Sequence, residues 1–252
     1  MRVATFNILH GRAPSDDRVD VDRFAGAVAA LDADVLALQE VDRNQPRSAG
    51  ADLTAVAAEA MGAVEHRFVA ALSGSPGATW MAATGEEQPD ATAYGIALLS
   101  RRPVSSWEIL RLGKPPTPVP MRFKGSRRPE LVRDEPRVAV GAKVQGPTGE
   151  VLVFNTHLSF VSWWGRRQLR RVMAAQEGCE RVLLLGDLNM GPAVARRITG
   201  MRPLVSGATF PAHEPVEQLD HVLARGDVGT VQTCRIHTLP LSDHRAMSVD
   251  LV

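Results

Sequence analysis

Five short polar clusters carry side chains able to hold a hard cation and move protons. They are Asn7; Glu40, after Gln39; Asn155 with His157; Asp187 with Asn189; and Asp243 with His244. Asp220, within "QLDHVLA", adds a further acid. Oxygen ligands without cysteine suit Mg²⁺ or Mn²⁺ better than zinc. Hydrolysis of a phosphate ester needs such a cation to neutralise non-bridging oxygens, together with an activated water and donors for the pentacovalent transition state. The inventory meets those needs. Taken singly, each cluster also has a plain structural reading. Asn7 closes a strand, Glu40 is a solvated strand end or helix cap, Asp187 and Asn189 form a turn, His157 is a satisfied buried histidine, and Asp243-His244 is a loop tip. Asp220 resists such a reading, because a carboxylate in that apolar setting needs a partner. His221 follows it directly and by alternation points to the opposite face. His10, His66, His213 and His237 receive no role.

The clusters sit beside apolar runs, where rigid scaffold meets solvent. Strands are expected at Val3–Leu9, Asp34–Gln39, Glu65–Leu72, Tyr94–Ser100, Val104–Leu112, Arg137–Val144, Val151–Thr156, Arg181–Gly186, Gln218–Leu223, Gly229–His237 and Ala246–Val252. Helical spacing marks Val21–Leu31, with Asp20 as N-cap, and Leu53–Met61, stopped by Gly62. Helices are also expected at Trp164–Glu177 and Pro192–Thr199, and turns or a hairpin over 73–92. Strands outnumber helices, and helices fall between only some of them. That predicts two packed sheets with helices outside, over one unit spanning 1–252.

The strings "TFNILHG", "DVLALQEV", "YGIALLSRRPV", "NTHLS", "LLLGDLNM", "LDHVL" and "SDHRAMSVDL", in this order, resemble the endonuclease/exonuclease/phosphatase superfamily. That superfamily includes pancreatic-type deoxyribonucleases, abasic-site endonucleases and neutral sphingomyelinases. No one string is specific alone; the ordered set is. The resemblance implies an α/β fold, a four-layer α/β sandwich of two mixed β-sheets packed face to face with helices on the outside. It implies a divalent-metal-dependent phosphodiesterase acting by in-line attack of an activated water, with Mg²⁺ or Mn²⁺ as cofactor. Glu40 would be the principal metal ligand, with Asn7 beside it and Asp243 nearby. Asp187 would orient or deprotonate the water, and Asn189 would bind the transition-state phosphoryl. His157 would donate to a phosphate oxygen. His244, oriented by Asp220, would be the second histidine at the scissile phosphate. Tyr94 and Asn155 are the expected substrate contacts, Tyr94 being equally readable as core. Whether one metal binds or two, and which group is the base, stays open.

The chain of 252 residues has 29 Lys and Arg against 28 Asp and Glu, so any attraction to nucleic acid must come from a local patch. Two patches qualify. Residues 111–137 carry eight basic side chains (111, 114, 122, 124, 127, 128, 133 and 137) against three acidic ones (130, 134 and 135), in an excursion between two strands. Trp163-Trp164 precede Arg166, Arg167, Arg170 and Arg171, an aromatic-basic face, although Arg167 and Gln168 match residues that are scaffold in related proteins. The expected partner is a phosphate-ester substrate, with nucleic acid as one candidate. The two cysteines, Cys179 and Cys234, read as free thiols. No apolar stretch approaches the roughly 20 residues a membrane span requires. The chain opens directly on a strand, so a cytoplasmic protein is expected. A phosphomonoesterase of a sugar or inositol phosphate is the competing activity. A catalytically silent binding protein is the competing class, although Glu40, Asp187 and His244 are all retained.

Overall fold

The computed structural model describes residues 1–122 and 128–252. Among these, two mixed sheets account for most strands. The principal strands are β1 (Arg2–Asn7), β2 (Val35–Arg43), β3 (Glu65–Gly74), β4 (Trp80–Ala82), β5 (Ala93–Ser100), β6 (Val104–Gly113), β7 (Arg137–Gly146), β8 (Gly149–His157), β9 (Val182–Asp187), β10 (Arg202–Pro203), β11 (Asp220–Arg225), β12 (Val231–His237) and β13 (Ala246–Leu251). The helices are α1 (Val21–Leu31), α2 (Leu53–Met61), α3 (Ser162–Ala175) and α4 (Pro192–Thr199). The first sheet runs β12-β13-β1-β2-β5-β3-β4 and the second β10-β11-β9-β8-β7-β6.

Each sheet contains one parallel pair, β1 with β2 and β8 with β9. A parallel pair requires a crossover, and α1 and α3 supply them. The C-terminal ends of β1, β2, β8 and β9 therefore collect at one rim. The antiparallel neighbours β11 and β13 bring their N-terminal ends there.

Strand alternation builds the layers. Val3, Val35 and Ala37 of the first sheet meet Val151, Val153, Leu183 and Leu185 of the second in a common inter-sheet core. The intervening residues Phe6, Leu36 and Leu38 face α1 and α2, where Phe24, Val28, Leu31 and Leu53 cover them. Leu152, Phe154, Val182 and Leu184 face Leu169, Val172 and Ala195 of α3 and α4. The architecture is the four-layer α/β sandwich expected from the sequence. No helix among the described residues is long and apolar enough to cross a membrane.

Capping follows local chemistry. The Asp20 carboxylate accepts from the Arg23 amide, and Asp52 accepts from Thr54 and Ala55. Gly62 ends α2 at φ +66°. Gly186, one residue before Asp187, has φ +133°, and a Cβ there would stand 1.9 Å from the Thr156 carbonyl oxygen. Only glycine allows β8 and β9 this approach. The strand expected over Val3–Leu9 stops at Asn7, because Leu9 and His10 turn at φ +45° and +47°. The 111–137 excursion holds its own antiparallel pair, Val119–Met121 with Glu130–Val132. Its Lys124 and Arg127 lie outside the described residues.

A polar bridge crosses the core below the rim. Gln39 Nε2 donates to Thr5 Oγ1 at 3.0 Å and to Asn155 Oδ1 at 2.7 Å. Asn155 Nδ2 donates to the carbonyls of Leu38 and Ala97, each at 2.8 Å. Asn155, expected from the sequence to touch substrate, is fully buried and spends its amide on the opposing sheet. Truncating it strands buried partners, so Asn155→Ala should cost about 2 kcal/mol of stability. Urea unfolding measures this; an unchanged midpoint would contradict the bridging role.

Candidate active site

The rim gathers the sequence-derived residues. Asn7 ends β1, His157 ends β8 and Asp187 ends β9, with His157 paired across to Asp187 and Asp187 to Asp220. Glu40 arrives by a different device. Within β2, Gln39 pairs with Ile96 and Val41 with Gly95, leaving Glu40 as an extra residue at φ +56°. The bulge interrupts alternation, so Gln39 serves the inter-sheet bridge while Glu40 turns to the rim. Asn189 and Ser242 also hold positive φ, +50° and +68°. Non-glycine residues adopt this conformation at a cost of about 1 kcal/mol or more, and such outliers cluster at functional sites.

Asn7 Nδ2 donates to Glu40 Oε1 at 3.2 Å and to Asp187 Oδ2 at 3.1 Å. Asp187 Oδ1 accepts from the Asn189 backbone amide at 2.9 Å. Asp187 Oδ2 also lies 3.5 Å from His157 Nε2 and 3.8 Å from His244 Nε2. His244 Nδ1 bonds Asp220 Oδ2 at 2.8 Å, the coupling read from the sequence. The Phe210 ring lies 4.9 Å from the His244 ring, and Ser242 Oγ accepts from the His244 amide while donating to the Asn7 carbonyl. Asn189 Nδ2 contacts His157 Nε2 at 3.2 Å and donates to the Leu158 carbonyl. Asp243 lies close enough to add to the negative field at Glu40. His221 points away, bonding the Met190 carbonyl on the far face.

Electrostatics separates the groups. Burial pushes Asp187 up, and neighbouring Asp220 adds to this, so it titrates at about 7 despite the opposing His244 charge and the Asn189 and Asn7 donors. Burial likewise raises Glu40, with Asp243 contributing and the Asn7 bond opposing. Burial works against a charged His244, but the Asp220 hydrogen bond and the carboxylates of Asp220, Asp187 and Asp243 outweigh it and push the imidazole up to about 10. His157 is held well below the ordinary imidazole value by burial, then by Arg137 and His244. One imidazolium and one neutral imidazole thus flank Asp187.

Asp187, Asp220 and His244 present ligand atoms within 4.8 Å of one another. His244, protonated through Asp220, is a poor ligand. The Glu40 carboxylate, with the Asn7 side chain beside it and the Asp187 carboxylate reached through the same amide, offers the better place for an ion. Asp187 is buried and Glu40 half-buried, each beside a like charge, which is costly without a compensating cation. Asp220 Oδ1 is buried without a hydrogen-bond partner. The residues therefore fit a hard divalent cation.

Arg137, beyond contributing to the basic count, was not singled out in the sequence. It is 6% exposed, places Nη1 3.2 Å from His157 Nδ1, and pairs with Asp134 at 3.1 Å. An arginine opening the apolar run "RVAVGA" was the available signal. Tyr94 is buried beside the rim, with the Arg47 guanidinium over its ring at 5.4 Å; burial, then Glu40 and Glu135, hold its phenol protonated. Arg47 itself makes a bidentate pair with fully buried Asp42. On α3, Trp163 is 54% exposed, while Trp164 donates to the Gly113 carbonyl and stacks under Arg167. Gln168 braces Ser159 and Gly113 and is scaffold.

Residues 4–244 match the model of the endonuclease/exonuclease/phosphatase family, and the chain belongs to that family, whose members are phosphoesterase hydrolases. Solved structures share the fold at low identity. An endonuclease/exonuclease/phosphatase from Beutenbergia cavernae is 23% identical with a TM-score of 0.69, all of this chain covering 71% of that one. A mannosyl-6-phosphatase from Bacteroides thetaiotaomicron is 16% identical (TM-score 0.67, coverage 100% and 99%). A sphingomyelinase C from Streptomyces griseocarneus is also 16% identical (TM-score 0.66, coverage 100% and 99%). No curated protein sequence matches.

The raised titration of His244 has a thermodynamic consequence. Its pairing with Asp220 stabilises the fold fully below the ordinary imidazole value of 6.5, and that stabilisation is lost as pH rises through about 10. Unfolding free energy in chelator should therefore fall across this window in the wild type and less steeply in Asp220→Asn. Parallel pH profiles would contradict the coupling.

Proposed function

We propose that this protein is a divalent-metal-dependent phosphodiesterase. The observation that carries the reading is the Asn7 amide joining Glu40 and Asp187, with His157 Nε2 and His244 Nε2 at 3.5 and 3.8 Å from the same Asp187 oxygen and His244 bonded to Asp220. Glu40 and Asn7, with Asp243 near them, would hold Mg²⁺ or Mn²⁺. When bound, the cation supplies charge neutralisation at the phosphate's non-bridging oxygens.

The chain's own groups account for the remaining chemistry. Asp187 orients the attacking water and accepts its proton as the new P–O bond forms and the ester P–O bond breaks. Its basicity, raised by burial, suits a base near neutral pH. His244, kept cationic by Asp220, places positive charge and an Nε2–H donor at the phosphoryl group. Asn189 adds an amide donor, and neutral His157 donates to a phosphate oxygen. Arg137 holds His157 in place and contributes positive potential, as does Arg47 beside Tyr94. Tyr94 offers a protonated phenol at the substrate's edge.

A phosphomonoesterase is the second reading. It is favoured by the fold shared with the mannosyl-6-phosphatase and by the two arginines near the rim. Parallel assays on mono- and diesters decide between them.

With bis(p-nitrophenyl) phosphate and Mg²⁺ or Mn²⁺, turnover should be abolished by chelator. It should fall about 10²- to 10⁴-fold in Asp187→Ala and in His244→Ala. Glu40→Gln should raise the metal concentration needed for half-maximal rate. Metal-independent turnover, or full activity in Asp187→Ala, would contradict the assignment. No turnover on any phosphoester would leave a binding member of the fold.

A further inference from the structure

Beside the rim lies a cavity of about 440 Å³, walled by Pro14, Phe210, Pro211, Leu239, Pro240 and Leu241. Ser242 and Asp243 belong to its lining, and Ser242 Oγ donates to the Asn7 carbonyl and accepts from the His244 amide, so the cavity adjoins the site. Its Phe210 wall is the same ring that packs at 4.9 Å on His244. Three stretches distant in sequence build it: the turn after β1, the segment before β11 and the segment between β12 and β13.

The charge around the site is lopsided. Arg137 lies against His157, and Arg47 over Tyr94, on the side that faces the 111–137 excursion. Among the described residues, the walls of the Phe210 cavity contain no lysine or arginine, and Asp243 is their one carboxylate. His213 is the one basic side chain among the lining residues, and Arg245 Nε donates to the Ala212 carbonyl at the wall, so a second phosphate would meet one imidazole and one carboxylate in a wall that is otherwise mostly apolar. Proline, leucine and phenylalanine surfaces instead favour burial of an uncharged apolar group.

We infer that this cavity is a specificity subsite that receives an uncharged apolar arm of the phosphate ester, an aryl or alkyl group carried on an ester oxygen. The inference rests on the phosphoesterase reading above and extends it to substrate class. Polyanions such as nucleic acid or inositol polyphosphates gain little on this side, where His213 is the one basic side chain of the lining and Asp243 opposes it. Phe210 acts twice, as the cavity wall and as the support of the His244 ring, so filling the cavity also packs the imidazole that faces phosphorus.

Phosphonates test this without turnover, because their C–P bond is not hydrolysed. In Mg²⁺, calorimetry should show benzylphosphonate binding about tenfold more tightly than methylphosphonate, which carries the same charge. Ala212→Trp, which fills the cavity mouth, and Leu239→Lys, which adds a charge, should each remove most of that advantage. Circular dichroism shows whether each variant folds, and either one suffices. Equal affinity of the two phosphonates for the wild type, or an advantage retained in a folded variant, would overturn the subsite while leaving the phosphoesterase reading intact. Failure of both phosphonates to bind would overturn the two together. Salt-sensitive binding of oligothymidylate that Ala212→Trp weakens as strongly as benzylphosphonate binding would show the cavity serving nucleic acid, and would also overturn the inference.

Discussion

The Asn7 amide donates to Glu40 from its own sheet and to Asp187 from the other, holding a half-buried and a buried carboxylate within reach of a single donor. Asp220 and Asp243 add negative charge to the same rim. Burial raises both Glu40 and Asp187, with Asp243 adding to the first and Asp220 to the second. The compensations within the chain are the His244 imidazolium, the Arg137 guanidinium and a few amide donors. This concentration of desolvated negative charge is the constraint to which the surrounding architecture answers. It makes a cation favourable and keeps Asp187 basic, and it holds His244 protonated.

Keeping such charges together requires a rigid frame. Two βαβ crossovers, one in each sheet, deliver strand ends to the same rim, and the Thr5–Gln39–Asn155 bridge ties the sheets directly beneath it. The positive φ of Glu40 aims its side chain against the alternation of its strand, and those of Asn189 and Ser242 turn the loops that carry the other rim residues. The sandwich core supplies the rigidity that sustains these conformations.

Much of this was legible in the residues. Apolar runs ending in Asn7, His157 and Asp187 announced strand ends, and Asp220 in an apolar setting announced a partner, which is His244. What could not be read came from tertiary geometry. Glu40 reaches the rim only because a bulge breaks the period of two, and no local propensity marks that bulge. Asn155 carries the right chemistry for substrate contact, but alternation buries it one step below His157. Arg137 looked like one more charge in a basic stretch until the antiparallel pairing of β7 with β8 set it against His157. The Phe210 cavity joins three separated segments and had no signature in any one of them.

The half-buried carboxylate of Glu40 and the buried one of Asp187, joined through Asn7, form a cradle for a divalent cation. Crystals grown with Mn²⁺ and measured at the manganese absorption edge test it most directly. The expected result is an anomalous peak bonded to Glu40, with Asn7 adjacent and Asp187 within the coordination sphere or one water away. Manganese confined to surface carboxylates, with Asn7 still donating to both Glu40 and Asp187, would contradict it.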